Sequence, residues 1–322
     1  MKIRSVVKGA LTFVPGAGQF LPKPIAGNNP GTTYYYGVWL KHLSYLFENG
    51  MGGVPESIAE LGPGDSLGLG IAALLCGAER FYGLDVVAHT NPATNLQVLD
   101  GIVELLKSRA PRPGKGWPDF DHLLDSKLFP SHILTDHRLS ASLTPRRIES
   151  IRRILTTQQE RAESITLAYR VPWSDARVME RDNIDLIVSQ AVLEHVVDLE
   201  ETYRAMYMWL KPGGVMSHQI DFRSHNLTSE WNGHRAIPDW LWNIMVGKRA
   251  YLINREPWSV HRRVITDCGF EIVSAMQQYR HDGIARSRLS QRWRNISEDD
   301  LTCSEVFVQA RKPASQRERT TA

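Results

Sequence analysis

The spacing of apolar residues changes along the chain, and each change predicts an element. Near Ser5 to Phe13 the pattern is helix-like, and the Pro/Gly-rich "GQFLPKPIAGNNPGTT" that follows reads as a loop. In "YYYGVWLKHLSYLF" (Tyr34 to Phe47), Trp39, Leu40, Leu43, Leu46 and Phe47 recur at helical spacing. Residues 1–55 therefore read as a helical N-terminal extension. Next, "SIAELG" (Ser57 to Gly62) is a short strand entering a glycine turn, "SLGLGIAALLCGA" is a helix, and "RFYGLDVV" (Arg80 to Val87) is a strand with Asp85 near its end. Strand, glycine turn, helix and acid-tipped strand form the first βαβ unit of a doubly wound sheet.

From about His89 to Arg161 the pattern shows no clear strand. "VLDGIVELLKSRA" and "TPRRIESIRRILTTQQERA" read as helices, the second with Thr144 as N-cap and Pro145 at its first position, and "PRPGKGWPDF" reads as a loop between them. Residues 89–161 are thus expected to be a helical insertion that could form a lid. Its Arg146, Arg147, Arg152 and Arg153 suit either an anion patch or a solvated helix face. Alternation then resumes. "SITLAYRV" is a strand, "IDLIVSQA" (Ile184 to Ala191) is apolar enough to be buried on both faces, and "DLEETYRAMYMWL" is a helix ended by "KPGG". "VMSHQIDF", "FEIVSAMQQY" and "SEVFVQARK" complete the strands, with the helix "SVHRRVITDCGF" among them. The expected class is α/β: a doubly wound Rossmann-like sheet, mostly parallel with an antiparallel final strand. The core domain would span 56–312, with an aromatic-rich cover at 226–258 and a flexible tail at 313–322.

Composition adds limits rather than identity. The chain has 322 residues, 42% of them hydrophobic and 23% charged, as in an ordinary soluble protein. Lys+Arg of 38 against Asp+Glu of 35 gives 38 − 35 = +3, so the charge balance supplies no argument for nucleic acid. Cys76, Cys268 and Cys303 are scattered without metal-ligand spacing, and so low a count fits a reducing, cytoplasmic setting. No apolar run approaches the ~20 residues that span a bilayer. Lys8 interrupts the first apolar stretch and Pro15 and Gly16 end it, so an amphipathic helix packed on the domain is expected there rather than a signal peptide or membrane anchor.

"ELGPGDSLG" (Glu60 to Gly68) carries the chemistry. Its glycines let a ligand approach the backbone at a strand end. Its carboxylates, Glu60 and Asp65, would repel a pyrophosphate by several kcal/mol at a distance of ~4 Å. The spacing Gly62-x-Gly64-xxx-Gly68 also puts the third glycine one residue late for a dinucleotide fingerprint. Asp85 stands where an acidic residue accepts ribose hydroxyls. A ligand with a ribose, a positive charge and no phosphate at the turn is indicated, and S-adenosylmethionine has those features.

Four stretches resemble the class I S-adenosylmethionine-dependent methyltransferases: "ELGPGD", "YGLDVV", "VPWSDA" (Val171 to Ala176), and "IDLIVSQAVLEHVVD" followed by "LKPGG". The resemblance implies that Glu60, Gly62 and Gly64 form the turn near the methionine portion, with Asp65 and Ser66 following in the loop. It implies that Asp85 holds the ribose, Val86 flanks the adenine, Asp175 and Ala176 read the adenine edge, and Ser189 and Gln190 lie beside the methionine. The chain with its "SHQIDFRSH" strand also resembles a bacterial subgroup associated with carbohydrate and cell-surface polysaccharide biosynthesis.

Methyl transfer to a hydroxyl benefits from a positioned base, and ligands of such sheets sit outside the strands' carboxyl ends. Asp221 and His225 are the favoured candidates, with His195 a third; capping and packing are the alternative roles for each. His218 lies within its strand and reads as a buried histidine. The fourth strand has Ser189-Gln190-Ala191-Val192 where methyltransferases of exocyclic base amines carry Asn or Asp before two prolines and an aromatic, so nucleic acid is not expected as substrate. No metal is expected. Trp231, Trp240, Trp242, Tyr251 and Trp258 suit either a sugar-facing cover or the core of a small subdomain, and Arg235, Arg249 and Arg255 suit either an anionic acceptor or the surface. The expected function is O-directed methyl transfer to a sugar or other small-molecule or glycan acceptor. A non-catalytic S-adenosylmethionine-binding partner or sensor remains the alternative, and the acidic turn argues against an NAD-dependent oxidoreductase.

Overall fold

The computed structural model describes residues 3–16, 31–113, 128–173, 175–249 and 252–314. Most of the "GQFLPKPIAGNNPGTT" loop, "PRPGKGWPDF" from Gly114 onward, Ser174, Tyr251 and the tail beyond Ala314 lie outside these residues. The helices are α1 (Ile3–Leu11), α2 (Thr32–Glu48), α3 (Gly68–Leu75), α4 (Pro92–Lys107), α5 (Asp136–Ser142), α6 (Pro145–Thr157), α7 (Leu199–Trp209), α8 (Asp239–Val246), α9 (Trp258–Asp267) and α10 (Glu298–Thr302). The strands are β1 (Ser57–Leu61), β2 (Arg80–Leu84), β3 (Arg161–Ala162), β4 (Ile165–Arg170), β5 (Ile184–Gln190), β6 (Leu210–Asp221), β7 (Glu271–Tyr279) and β8 (Cys303–Arg311).

The sheet order is β3-β4-β2-β1-β5-β6-β8-β7. β1 runs parallel to both β2 and β5, and β2 parallel to β4, while the two-residue β3 pairs antiparallel with β4. Phe222 N–H donates to Ser304 O, and Lys312 N–H to Gly214 O. The start of one strand thus meets the end of the other, and β8 runs against β6 as expected. The order reverses between β1 and β5, the switch point at which ligands bind in such sheets.

The chain divides into two compact units. One comprises Ala26–Gln190, Ala205–Ser217 and Gln309–Ala322; the other comprises Met1–Ile25, Ala191–Arg204 and His218–Val308. In the first, the main core gathers α2, α3, α4 and α6 with β1, β2, β4 and β5.

Two expectations change here. Residues 1–55 are not one extension: α1 belongs to the second unit, whereas α2 is a core helix with Tyr36, Trp39, Leu40 and Leu43 fully buried. A helix apolar around its whole circumference has no face suited to water. The helices of 89–161 do not stand off as a lid. Val98, Leu99, Ile102 and Leu106 of α4, and Ile151, Ile154 and Leu155 of α6, pack into the same core. "KPGG", which ends α7, already lies in β6: the strand begins at Leu210, and Gly213 N–H donates to Lys312 O, pairing this stretch with the end of β8.

The caps follow the sequence. Thr144 accepts the N–H of Arg147 ahead of Pro145, and Thr135 does the same for Arg138 in α5, a helix the pattern did not reveal. The arginines of α6 serve the fold: Arg146 pairs with Glu163, Arg152 pairs with Asp100, and Arg147 caps the carbonyls of Leu74 and Ala78.

Gly68 opens α3 beneath Tyr35 of α2, where a Cβ would lie 2.3 Å from the ring. We expect Gly68→Ala to destabilise by about 1–3 kcal/mol through overpacking. The loss should shrink in the Gly68→Ala/Tyr35→Ala double variant relative to Tyr35→Ala alone. Urea denaturation of the four proteins measures it.

Candidate active site

The glycine turn leaves β1 at the switch point. Gly62 and Gly64 both have positive φ, 65° and 70°, a region that favours glycine, and Gly62 N–H donates to Leu84 O across to β2. The following segment is clamped from α4: Asn95 Oδ1 accepts both Ser66 Oγ–H (2.8 Å) and Leu67 N–H (2.9 Å). Ser66 therefore serves the turn's shape. Asn95, which sequence reasoning missed, sits in an otherwise apolar helix face, and that is its one legible signal.

Glu60 and Asp85 are both 6% exposed. Asp85 Oδ1 accepts Val86 N–H, while Asp85 Oδ2 and Glu60 Oε2 are buried without a hydrogen-bond partner among the described residues. Burial, with Asp85 adding to it, pushes the Glu60 carboxyl up to about 8. Burial also raises Asp85 and Asp65. At the end of β5, Ser189 is buried, and both amide atoms of Gln190 are buried without a partner among the described residues. Orphaned acceptors and an orphaned amide around a glycine turn have polar groups to offer a ligand. A ligand bearing an ammonium and ribose hydroxyls supplies the missing donors and the missing positive charge, so these residues fit S-adenosylmethionine.

The adenine-side residues fall differently. Val86 is 50% exposed, as a residue flanking a ring can be. Asp175 caps a short 3-10 turn and pairs with Arg177, which holds its carboxyl below the usual range, and Ala176 O accepts the Trp209 indole N–H. Asp175 is thus engaged with its own neighbour; the residue tied to Asp85 is Trp173, whose N–H donates to Asp85 O.

In the other unit, Asp221 ends β6 and gathers the remaining candidates. Its carboxylate takes two bonds from the Arg223 guanidinium, each 2.8 Å, and stands 3.3 Å from His225 Nε2. Burial would raise Asp221, but hydrogen bonds from His225 and Arg223 outweigh it and hold the carboxyl below the usual range. His225 adopts a left-handed backbone (φ 46°), and its ring meets that of His195 edge-on at 4.9 Å. Glu194 is the member that sequence reasoning missed, although it stands beside His195 in "LEH". Both its oxygens are buried without a hydrogen-bond partner among the described residues, Oε1 lies 3.7 Å from His225 Nε2, and burial together with Asp221 raises its carboxyl well above the usual range. A cavity of about 10 Å³, room for about one water, is lined by Glu194, Asp221, Arg223 and His234 among others.

Glu194, His195 and His225 bring candidate ligand atoms within 4.8 Å of one another, a grouping that spacing alone could not reveal because His225 lies on a different loop. His218 is fully buried in β6, as expected.

The proposed cover is largely core. Trp242 packs with Ile237, Met245 and Ile253, and Trp231 and Trp258 are buried; Trp240 is 66% exposed. The arginines stabilise this region. Arg235, fully buried, donates to Asp300 O; Arg255 donates to Ile237 O and pairs with Asp239 while lying 4.4 Å from the Trp242 ring centre; Arg249 donates to Met245 O and Ser5 O.

Residues 148–217 match the family model described as "Methyltransferase domain", a stretch that runs from α6 into β6 and contains Asp175, Ser189 and Gln190. A search among curated proteins found no match. Solved structures similar to the chain include an S-adenosylmethionine-dependent methyltransferase from Methanosarcina mazei, at 12% identity, covering 84% of this chain and 98% of that one, with a TM-score of 0.41. A putative sarcosine dimethylglycine methyltransferase from Galdieria sulphuraria is 15% identical, with 86% and 85% covered and a TM-score of 0.42. Phosphoethanolamine N-methyltransferase 2 from Haemonchus contortus, solved with S-adenosylmethionine, is 14% identical, with 90% and 59% covered and a TM-score of 0.42.

Glu60 gives a signed pH dependence. Its folded value, about 8, lies above its ordinary value of 4.5, so the stability it contributes is full below about 4.5 and lost as pH rises to 8. Glu60→Gln, which stays neutral, should flatten that decline. Urea unfolding of the ligand-free protein and the variant at several pH values within this window checks it; parallel curves would refute the assignment.

Proposed function

We propose that this protein is an S-adenosylmethionine-dependent methyltransferase acting on a hydroxyl of a sugar or other small-molecule acceptor. The observation that carries the reading is the pair of buried, partly unpartnered carboxylates, Glu60 and Asp85, around the glycine turn at the switch point. The methyltransferase-domain match over residues 148–217 supports it.

When bound, the cofactor supplies an electrophilic methyl on a sulfonium. Glu60 and Gln190 would hold the amino-acid end, Asp85 would accept hydrogen bonds from the ribose hydroxyls, and the backbone of Gly62–Gly64 would permit close approach. Asp221, fixed by Arg223, keeps the proton of His225 on Nε2 and leaves Nδ1 to receive the acceptor's hydroxyl proton. As the acceptor oxygen took the methyl group, its proton would end on His225. Asp221 would stabilise the imidazolium that results. This chemistry needs no metal, and its base is His225, oriented by Asp221, rather than His195.

Calorimetric titration should show S-adenosylmethionine and S-adenosylhomocysteine binding, weakened about tenfold to a hundredfold by Asp85→Ala. Binding of NAD instead would overturn the reading. With labelled cofactor and a panel of sugars and phenols, Asp221→Asn and His225→Ala should each cut turnover about a hundredfold while leaving cofactor affinity unchanged. Turnover should also survive a chelator; its loss would favour a cation held by Glu194, His195 and His225. Cofactor binding with no turnover on any acceptor would favour the non-catalytic partner.

A further inference from the structure

α1 is held to its own unit by one face and leaves another bare. Gly9 packs so closely on α8 that a Cβ would lie 2.0 Å from Ile244 O. Val6 packs on the cluster of Trp242 and Met245, Lys248 N–H donates to Thr12 Oγ1 (2.9 Å), and Arg249 donates to Ser5 O. The helix is therefore anchored in place.

At about 100° per residue, Ile3, Val7 and Leu11 fall in one strip roughly opposite Gly9. They are 75%, 51% and 39% exposed, and Phe13 and Val14, just beyond the helix, are 55% and 52% exposed. Trp240, one turn before Ile244 on α8, is 66% exposed. Arg4 and Lys8, both exposed, border the strip on one side, and α1 contains no acidic residue. In the sequence, the first Asp or Glu is Glu48, after Lys2, Arg4, Lys8, Lys23 and Lys41.

We propose that this face of α1, with Trp240, docks on an anionic lipid surface. Large apolar side chains bordered by Arg and Lys, with an exposed tryptophan on the helix against which α1 packs, match the boundary between acyl chains and negatively charged headgroups. The basic border selects the occupant: an uncharged apolar partner would gain nothing from Arg4 and Lys8, whereas phosphate-bearing headgroups complement them. The helix lies on the interface and does not cross it; no helix among the described residues is long and apolar enough to span a membrane. The assignment is independent of the methyltransferase reading.

Flotation of the full chain with phosphatidylcholine vesicles, and with vesicles in which about one third of the lipid is phosphatidylserine, tests it. Binding is expected to the anionic vesicles only, and to weaken as salt shortens the Debye length. Arg4→Gln/Lys8→Gln should lower the partition coefficient roughly thirtyfold, from about 1 kcal/mol per basic residue. Val7→Ser/Leu11→Ser should lower it with both charges intact. Urea unfolding midpoints and S-adenosylmethionine titrations of each variant establish that the fold persists. Failure to float, equal flotation with neutral vesicles, or variants that float unchanged would each overturn the proposal. So would a concentration-dependent dimer, seen by sedimentation, that the same substitutions abolish and that excludes vesicle binding.

Discussion

Glu60 and Asp85 end two neighbouring parallel strands, and neither carboxylate is neutralised by a basic side chain in hydrogen-bonding contact. Taking a carboxylate out of water is costly unless it is paired or protonated. Burial, with the neighbouring Asp85 adding to it, pushes the Glu60 carboxyl up to about 8. The local architecture holds this arrangement in place. The turn can pass close to the acids because Gly62 and Gly64 take left-handed backbone, Asn95 ties the next residues to α4, and α2 covers the start of α3 through Tyr35 and Gly68.

That covering contact explains an oddity in the sequence. The third glycine of "ELGPGDSLG" comes one residue late for a dinucleotide turn. Its place is set by the Tyr35 ring 2.3 Å from where its Cβ would be, not by a phosphate. A glycine motif therefore mixes two constraints: conformational at Gly62 and Gly64, steric at Gly68.

The sheet and its switch point were legible because buried parallel strands leave near-continuous apolar runs, and because strand-end acids stand at fixed spacing from the turn. The role of α2 was not, since an apolar helix reads the same whether it precedes a domain or fills its core. The α4–α6 region misled for a related reason: without a strand to interrupt it, a crossover plus two helices resembles an insertion. Asp221 and His225 stood out as a motif four residues apart, but Glu194 did not, because its nearness to them comes from a loop after β5 and not from local sequence. The tryptophans and arginines after β6 showed the limit of composition. Arg235 and Arg255 look like anion receptors as letters and prove to be buried supports for carbonyls and indole rings.

The two acid pairs solve one electrostatic problem in opposite ways. Beside Asp221, the Arg223 guanidinium supplies the positive charge through two hydrogen bonds, so Asp221 stays ionised while Glu194, deeper and without such a donor, is driven toward its neutral form. An ionised acid next to a neutral one keeps the net charge near His225 small, and the ionised member sets which ring nitrogen holds the proton. At the glycine turn no arginine plays that part. Glu60 and Asp85 remain mutually destabilising until something positive arrives, and a cation binding there would shift the Glu60 proton into solvent. The first pair is balanced internally and suits a role in moving a proton. The second is left without such a partner among the described residues, which is what supports reading it as a place for a cationic ligand.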